Sequence, residues 1–150
     1  MKNLLIVFLL AIFMMGCLSM GETQNFAEVI GKEWRLTEVY INGADTQFRR
    51  AGLPNDPRNL FTVSFDGQNI SGTGAPNIFS GPCTLGENQT INIGNMRSTL
   101  MASIFEPANL SEHNYYTYLR NASTWKIVGS NLEIQSKTDD GRDVRLVFSN

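Results

Sequence analysis

The chain has 150 residues, 42% of them hydrophobic, with 12 Lys and Arg against 14 Asp and Glu and two cysteines. That length and apolar share fit one domain that closes a core without disulfide support. The mildly acidic balance argues against nucleic acid as a partner.

Lys2 precedes an unbroken apolar run over residues 4–15, which Gly16 and Cys17 close. The run is shorter than the roughly 20 apolar residues a spanning helix needs, and its position fits the apolar region of a secretory signal peptide. Residues 1–16 are therefore expected to be a signal peptide, with a buried N-terminal helix as the alternative. Gly16-Cys17 is similar to a bacterial lipobox, where a small residue precedes a cysteine that is lipidated and becomes the new N-terminus. Met14 and Met15 depart from the residues commonest in such boxes, and ordinary secretion with later cleavage is the other reading. Lipidated Cys17 would hold the protein through several acyl chains, at about 0.8 kcal/mol per buried methylene. The expected location is then the cell envelope, at the outer membrane or another periplasmic face. Loss of residues 1–16 removes Lys2 and leaves 11 basic against 14 acidic residues, a charge of −3. Only Cys83 would remain, and it reads as a small buried apolar residue rather than a reactive thiol.

Residues 17–25 carry little that is apolar after Leu18 and read as the lipidated N-terminus and tether; the domain is expected over 26–150. Phe26, Val29 and Ile30 recur at helical spacing before Gly31, a short turn ended by glycine. In residues 33–41, Trp34 and Leu36 share one face while Val39 and Ile41 fall in the opposite phase, so a strand with a bulge near Thr37 or Glu38 is predicted. Asn42-Gly43 is a turn signal. Residues 44–59, with Gly52, Pro54, Pro57, Arg49, Arg50 and Arg58, show no period and read as a long surface loop.

Phe61, Val63 and Phe65 alternate, and Asp66-Gly67 fits a two-residue hairpin turn leading into a partner strand over 68–73. Residues 74–82 read as irregular, and their glycines and prolines exclude a central strand there. A reversal over 86–89 precedes a strand with Ile91 and Ile93 on one face. Residues 110–121 form the best helix: Ser111 can cap it, Glu112 suits the positive end of its dipole, and Leu110 can staple onto Tyr115. Tyr115, Tyr116, Leu119 and Ala122 form its buried stripe. Three alternating runs follow, Trp125 with Ile127, Leu132 with Ile134, and Val144 with Leu146 and Phe148, joined by turns at 129–131 and 139–141. The predicted class is mainly β (α+β), a small curled antiparallel sheet or lipocalin-like barrel closed by one main helix.

The order of these motifs carries a resemblance. Trp34 with Leu36, the glycine-rich approach from Asn77 to Cys83, the strand at Ile91 and Ile93, the run Ser98-Thr99-Leu100-Met101-Ala102, the helix around Glu112, Tyr116 and Leu119, and the closing strands from Trp125 to Phe148 follow one another as in the META domain, or HslJ-like, family. The resemblance covers nearly all of residues 31–150. It departs at Ser103, where many members have a second cysteine, so Cys83 has no family disulfide partner, and again in the long 44–59 loop. What the resemblance implies is an exported or envelope protein, often a lipoprotein, with a lipocalin-type barrel and no known shared enzymatic activity.

The usual catalytic sets are mostly missing from the sequence. His113 is the one histidine, too few ligands for a transition-metal site, and no G-x-S-x-G elbow accompanies it. Gly72-Thr73-Gly74 precedes Pro76 rather than a helix, which disfavours a phosphate loop. Residues 139–143 resemble part of a calcium loop without its closing bidentate acid, and a type I′ turn explains them more simply. Glu33, Glu38 and Glu112 are scattered. The N-x-S/T sequences at Asn69, Asn88, Asn109 and Asn121 read as incidental beside a bacterial-type lipobox. Catalytic residues, metal and cofactor are all expected to be absent.

Two binding candidates remain. Arg49, Arg50 and Arg58 could grip an anionic headgroup or a partner's acids, against a simply solvated loop. The aromatics, above all Phe61, Phe65, Tyr116 and Trp125, could line a cavity between barrel and helix, against simple core filling. The expectation is a non-catalytic, monomeric envelope lipoprotein acting as a binding or assembly/stress-related factor at the membrane surface. The rival readings are a carrier of an apolar ligand or lipid and a secretion-pilot-like protein with a groove for a partner's helix or strand.

Overall fold

A computed structural model describes residues 24–48, 60–102 and 107–150. Ten strands and one α-helix follow a 3-10 turn at Phe26–Glu28: β1 (Glu33–Ile41), β2 (Ala44–Asp45), β3 (Thr62–Phe65), β4 (Asn69–Thr73), β5 (Ile78–Leu85), β6 (Ile91–Ile93), β7 (Arg97–Ser98), α1 (Glu112–Arg120), β8 (Thr124–Val128), β9 (Asn131–Lys137) and β10 (Asp143–Ser149). The main sheet runs β6-β5-β4-β3-β1-β10-β9-β8, all antiparallel, while β2 adds to β1 and β7 to β5. Its two ends meet where Thr90 bridges Thr124 and the Ile91 N–H donates to the Ser123 carbonyl at 3.0 Å. The curled sheet is thereby almost a barrel, with α1 as its single α-helix among the described residues.

Alternation decides what faces inward. Leu36, Val39, Val63, Ile70, Leu132, Ile134, Leu146 and Phe148 are fully buried. The phase change along β1 is real: its register against β10 shifts between Leu36 and Glu38, so Leu36 and Val39 can both point into the core. Asn42 and Gly43 take positive φ, 49° and 76°, as a tight hairpin requires.

Several expectations are corrected. Gln24 and Asn25 belong to the folded body: the Gln24 side chain donates to the Ile127 carbonyl at 2.7 Å and accepts from its N–H at 2.6 Å, and Asn25 caps the first turn. The surface loop begins later than residue 44, because Ala44 and Asp45 pair with β1 and Phe48 is buried against Phe61. Residues 74–82 do contain strand: β5 pairs with β4 from Ile78 to Pro82. On its other side β5 changes partner, meeting β7 at Phe79 and Ser80 and β6 from Cys83 onward, so Pro82 falls in the gap where its missing N–H breaks no ladder bond.

Two turns also differ in type. At β3–β4 only Gly67 has positive φ (98°), and the closing bond runs from the Asp66 N–H to the Asn69 carbonyl, one residue later than the Asp-Gly pair suggested. At 139–141 only Gly141 is left-handed (84°), which excludes type I′; the Gly141 N–H bonds the Thr138 carbonyl, and the Asp140 carboxylate holds the Thr138 hydroxyl and the Arg142 guanidinium.

Candidate functional site

Helix α1 is capped as its sequence dictates, with the Ser111 hydroxyl accepting from the Asn114 N–H at 3.2 Å. That cap fixes where the first turn projects Glu112. Its Oε1 accepts from the N–H groups of Ala75 (2.6 Å) and Asn77 (2.8 Å) and from the Tyr116 hydroxyl (3.2 Å), and its Oε2 accepts from the Asn77 side-chain amide at 2.7 Å. The carboxylate is thus spent on the turn that precedes β5. Gly74 lies so close that an added Cβ would collide with the Glu112 carboxylate and the Tyr116 hydroxyl. Burial first, then the neighbouring Glu112 carboxylate, pushes the Tyr116 phenol well above its ordinary pKa.

Asn77 passes the connection on. Its Oδ1 accepts from the Met101 N–H (2.7 Å) and the Thr99 hydroxyl (2.8 Å), while its amide also donates to the Met101 carbonyl at 3.2 Å. Because the amide imitates a paired peptide group, the chain beyond β7 is held as though a strand lay beside it. Three large apolar side chains remain in solvent at this place: Leu100 is 97% exposed, Ile78 56% and Met101 53%. A polar latch therefore fixes a backbone whose large apolar side chains stay largely exposed.

The tentative aromatic residues separate into two groups. Phe61 is fully buried, edge to face with Phe48 and Tyr115, and Tyr116 lies against Phe79 at 5.3 Å between ring centres. Phe65 and Trp125 instead meet Phe26 at the other end of the barrel, at 5.2 and 4.8 Å. Trp125 borders an open cleft of about 400 Å³ together with Phe26, Leu85, Asn88 and Gln89. Arg49, Arg50, Arg58 and Cys17 lie outside the described residues. His113 is exposed on α1, and among the described residues no group of three His, Cys, Asp or Glu side chains is placed to hold a metal ion. Cys83 is buried and free, its thiol pushed up to about 11 by burial and then by the Asp66 charge. Sequence reasoning set Glu112 in its helical turn but missed the latch, because Ala75 and Asn77 lie 37 and 35 residues away.

A curled antiparallel sheet closed by one helix, with an Asn- and Glu-centred knot at the helix end, defines the class of protein. The sequence profile of the META domain matches residues 27–148, and the chain belongs to the META domain family. None of the curated proteins matches it. Among solved structures it is similar to a protein from Burkholderia xenovorans determined by NMR, with TM-score 0.54, 16% identity, and 85% of this chain and 90% of that one covered. It is likewise similar to a DUF4847 family protein from Bacteroides vulgatus, with TM-score 0.59, 14% identity, and coverage of 83% and 95%. At such identities these likenesses speak to the fold alone.

Proposed function

We propose that this META-family protein is a lipid-anchored, non-catalytic envelope protein that works as a binding or assembly factor at the membrane surface. The observation that carries the reading is the latch-held apolar trio of Ile78, Leu100 and Met101. Its position supports a role toward a partner. Gln24, through which the chain enters from Cys17, docks on Ile127 near Phe26 and Leu85, at the end of β5 opposite Ile78. The eight residues of β5 separate the two ends by roughly 25 Å. An anchor at Cys17 would then leave the trio facing away from the membrane that holds it. Carriage of an apolar ligand has weaker support, since Phe61 and Phe65 are buried against other rings.

A photo-crosslinking amino acid at Leu100, with a control at Ser130 on the β8–β9 turn, tests the reading in the native envelope. The expected result is one reproducible adduct from Leu100, absent from Ser130 and lost on Met101→Glu. A folded, anchored protein that yields no adduct at Leu100 would sink it. The anchor is tested separately: Cys17→Ala should release the protein from the membrane fraction, and retention there would count against lipidation.

A further inference from the structure

We propose that the outer edge of β7 and its continuation to Leu100 is a docking site for an extended, acidic segment of a partner protein, which adds to the sheet as a further strand. The inference rests on the binding reading above and specifies the partner's chemistry.

The edge is open. Among the described residues β7 pairs only with β5, through Phe79 with Ser98 and Ser80 with Arg97. The Thr99 N–H donates to the Ile78 carbonyl at 3.1 Å, so the peptide groups of Thr99 turn toward β5. Successive residues of an antiparallel strand alternate in this respect, which directs the N–H and C=O groups of Ser98 and Leu100 outward. Arg97, Ser98, Thr99 and Leu100 are all exposed. Proteins blunt such edges with very short strands, charges, proline or a covering element; β7 is short, two residues with a single charge, but its line continues to a leucine that is 97% exposed. The Asn77 latch holds the backbone ready for pairing, so little order has to be gained on binding.

Arg97 gives the edge its chemical preference. Among the described residues its side chain has neither ion pair nor hydrogen bond, and it borders an open concave surface of about 770 Å³ lined by Asn69, Ser71, Ser80, Asn95 and Asp66 among others. The acid on that surface, Asp66, is already occupied by the N–H groups of Gln68 and Asn69 at 2.9 and 2.7 Å. A carboxylate brought by a partner would meet a guanidinium free to pair with it bidentately. Main-chain bonds along the edge would supply affinity, and alternate side chains, one set toward Arg97 and the other toward Leu100, would supply selection.

The other occupants fit less well. Residues 95–102 contain no acid, so symmetric pairing of this edge with a second copy would leave both Arg97 side chains unmatched. Anionic lipid calls for a cluster of several Lys and Arg, and the face offers one.

The test uses the full chain and a labelled eight-residue peptide alternating Glu and Val, compared with a Lys-for-Glu version and with one N-methylated at alternate residues. Binding by the Glu peptide should saturate and slow amide exchange at Ser98 and Leu100. The other two should bind about tenfold more weakly or worse, a loss of one charge-assisted or ladder contact. Arg97→Glu should reverse the preference in favour of the Lys peptide. Equal binding of the Glu and Lys peptides, indifference to N-methylation, absence of binding, or binding without protection at Ser98 and Leu100 would each overturn the proposal. A concentration-dependent dimer protected at those same amides would assign the edge to a second copy instead. An adduct at Leu100 in the envelope without this peptide preference removes only the inference; no adduct removes the binding reading as well.

Discussion

Glu112 shows how far a residue's meaning depends on what folds against it. From the sequence it was a helix-dipole partner in the first turn, and that remains true. Its larger role is to accept from Ala75 and Asn77, groups that no local spacing connects to it, as well as from Tyr116 one helical turn on. Glu112→Gln keeps the volume but replaces one acceptor with a donor, which would face either the Asn77 amide or the two backbone N–H groups. The expected loss is about 1–3 kcal/mol by urea unfolding, the usual range for a part-buried donor left without its acceptor. A variant within a few tenths of a kcal/mol of the parent would show that water replaces the lost bond and that the knot is not under load. The aromatic side chains were easier to read: Phe61, Phe65 and Trp125 were candidates for both core and cavity, and all three are buried against other rings, with Trp125 also bordering a cleft.

Among the elements, legibility followed simplicity of pairing. Strands β8, β9 and β10 keep their neighbours along most of their length, and β1 keeps β10 on one side while its other side passes from β3 to β2; a core-facing period of two exposed all four, down to the bulge in β1. Strand β5 was missed because it exchanges β7 for β6 at Pro82, and an interrupted ladder tolerates residues that a continuous one rejects. Gly81 marks the same junction: an added Cβ would come 3.0 Å from the Met96 Cα. β7 itself has two residues and owes its place to Asn77 more than to its own pairing. Asn77→Ala should therefore accelerate amide exchange at Thr99 and Met101 while leaving β9 and β10 protected. Equal acceleration across the sheet would mean that the latch supports the whole fold and not this edge in particular.

At the scale of the molecule, the sequence predicted a curled sheet with one helix because seven alternating runs and one capped helix leave few other ways to bury an apolar face. What it could not give was which groups the closed barrel would seal from water, and that has a consequence for alkaline stability. Burial raises the Cys83 thiol from 9.0 to about 11 and also raises Tyr116 above its ordinary value of 10.0. Both groups are neutral when protonated, so folding favours the protonated form, and the unfolded chain releases its proton first as pH rises. Their contribution is fully present below pH 9.0 and is lost through the window up to about 11, with Tyr116 adding to the loss above 10.0. The urea midpoint should hold between pH 7 and 8.5 as far as these two groups are concerned, then fall steadily toward pH 11. Cys83→Ala should start from a slightly lower midpoint at neutral pH, because a small buried group is removed, and should flatten the first part of that fall, so that the two profiles converge as pH rises. A parent profile that stays level to pH 11 would show that water reaches the Cys83 thiol, and rapid alkylation of the native protein by iodoacetamide at pH 8 would lead to the same conclusion by an independent route.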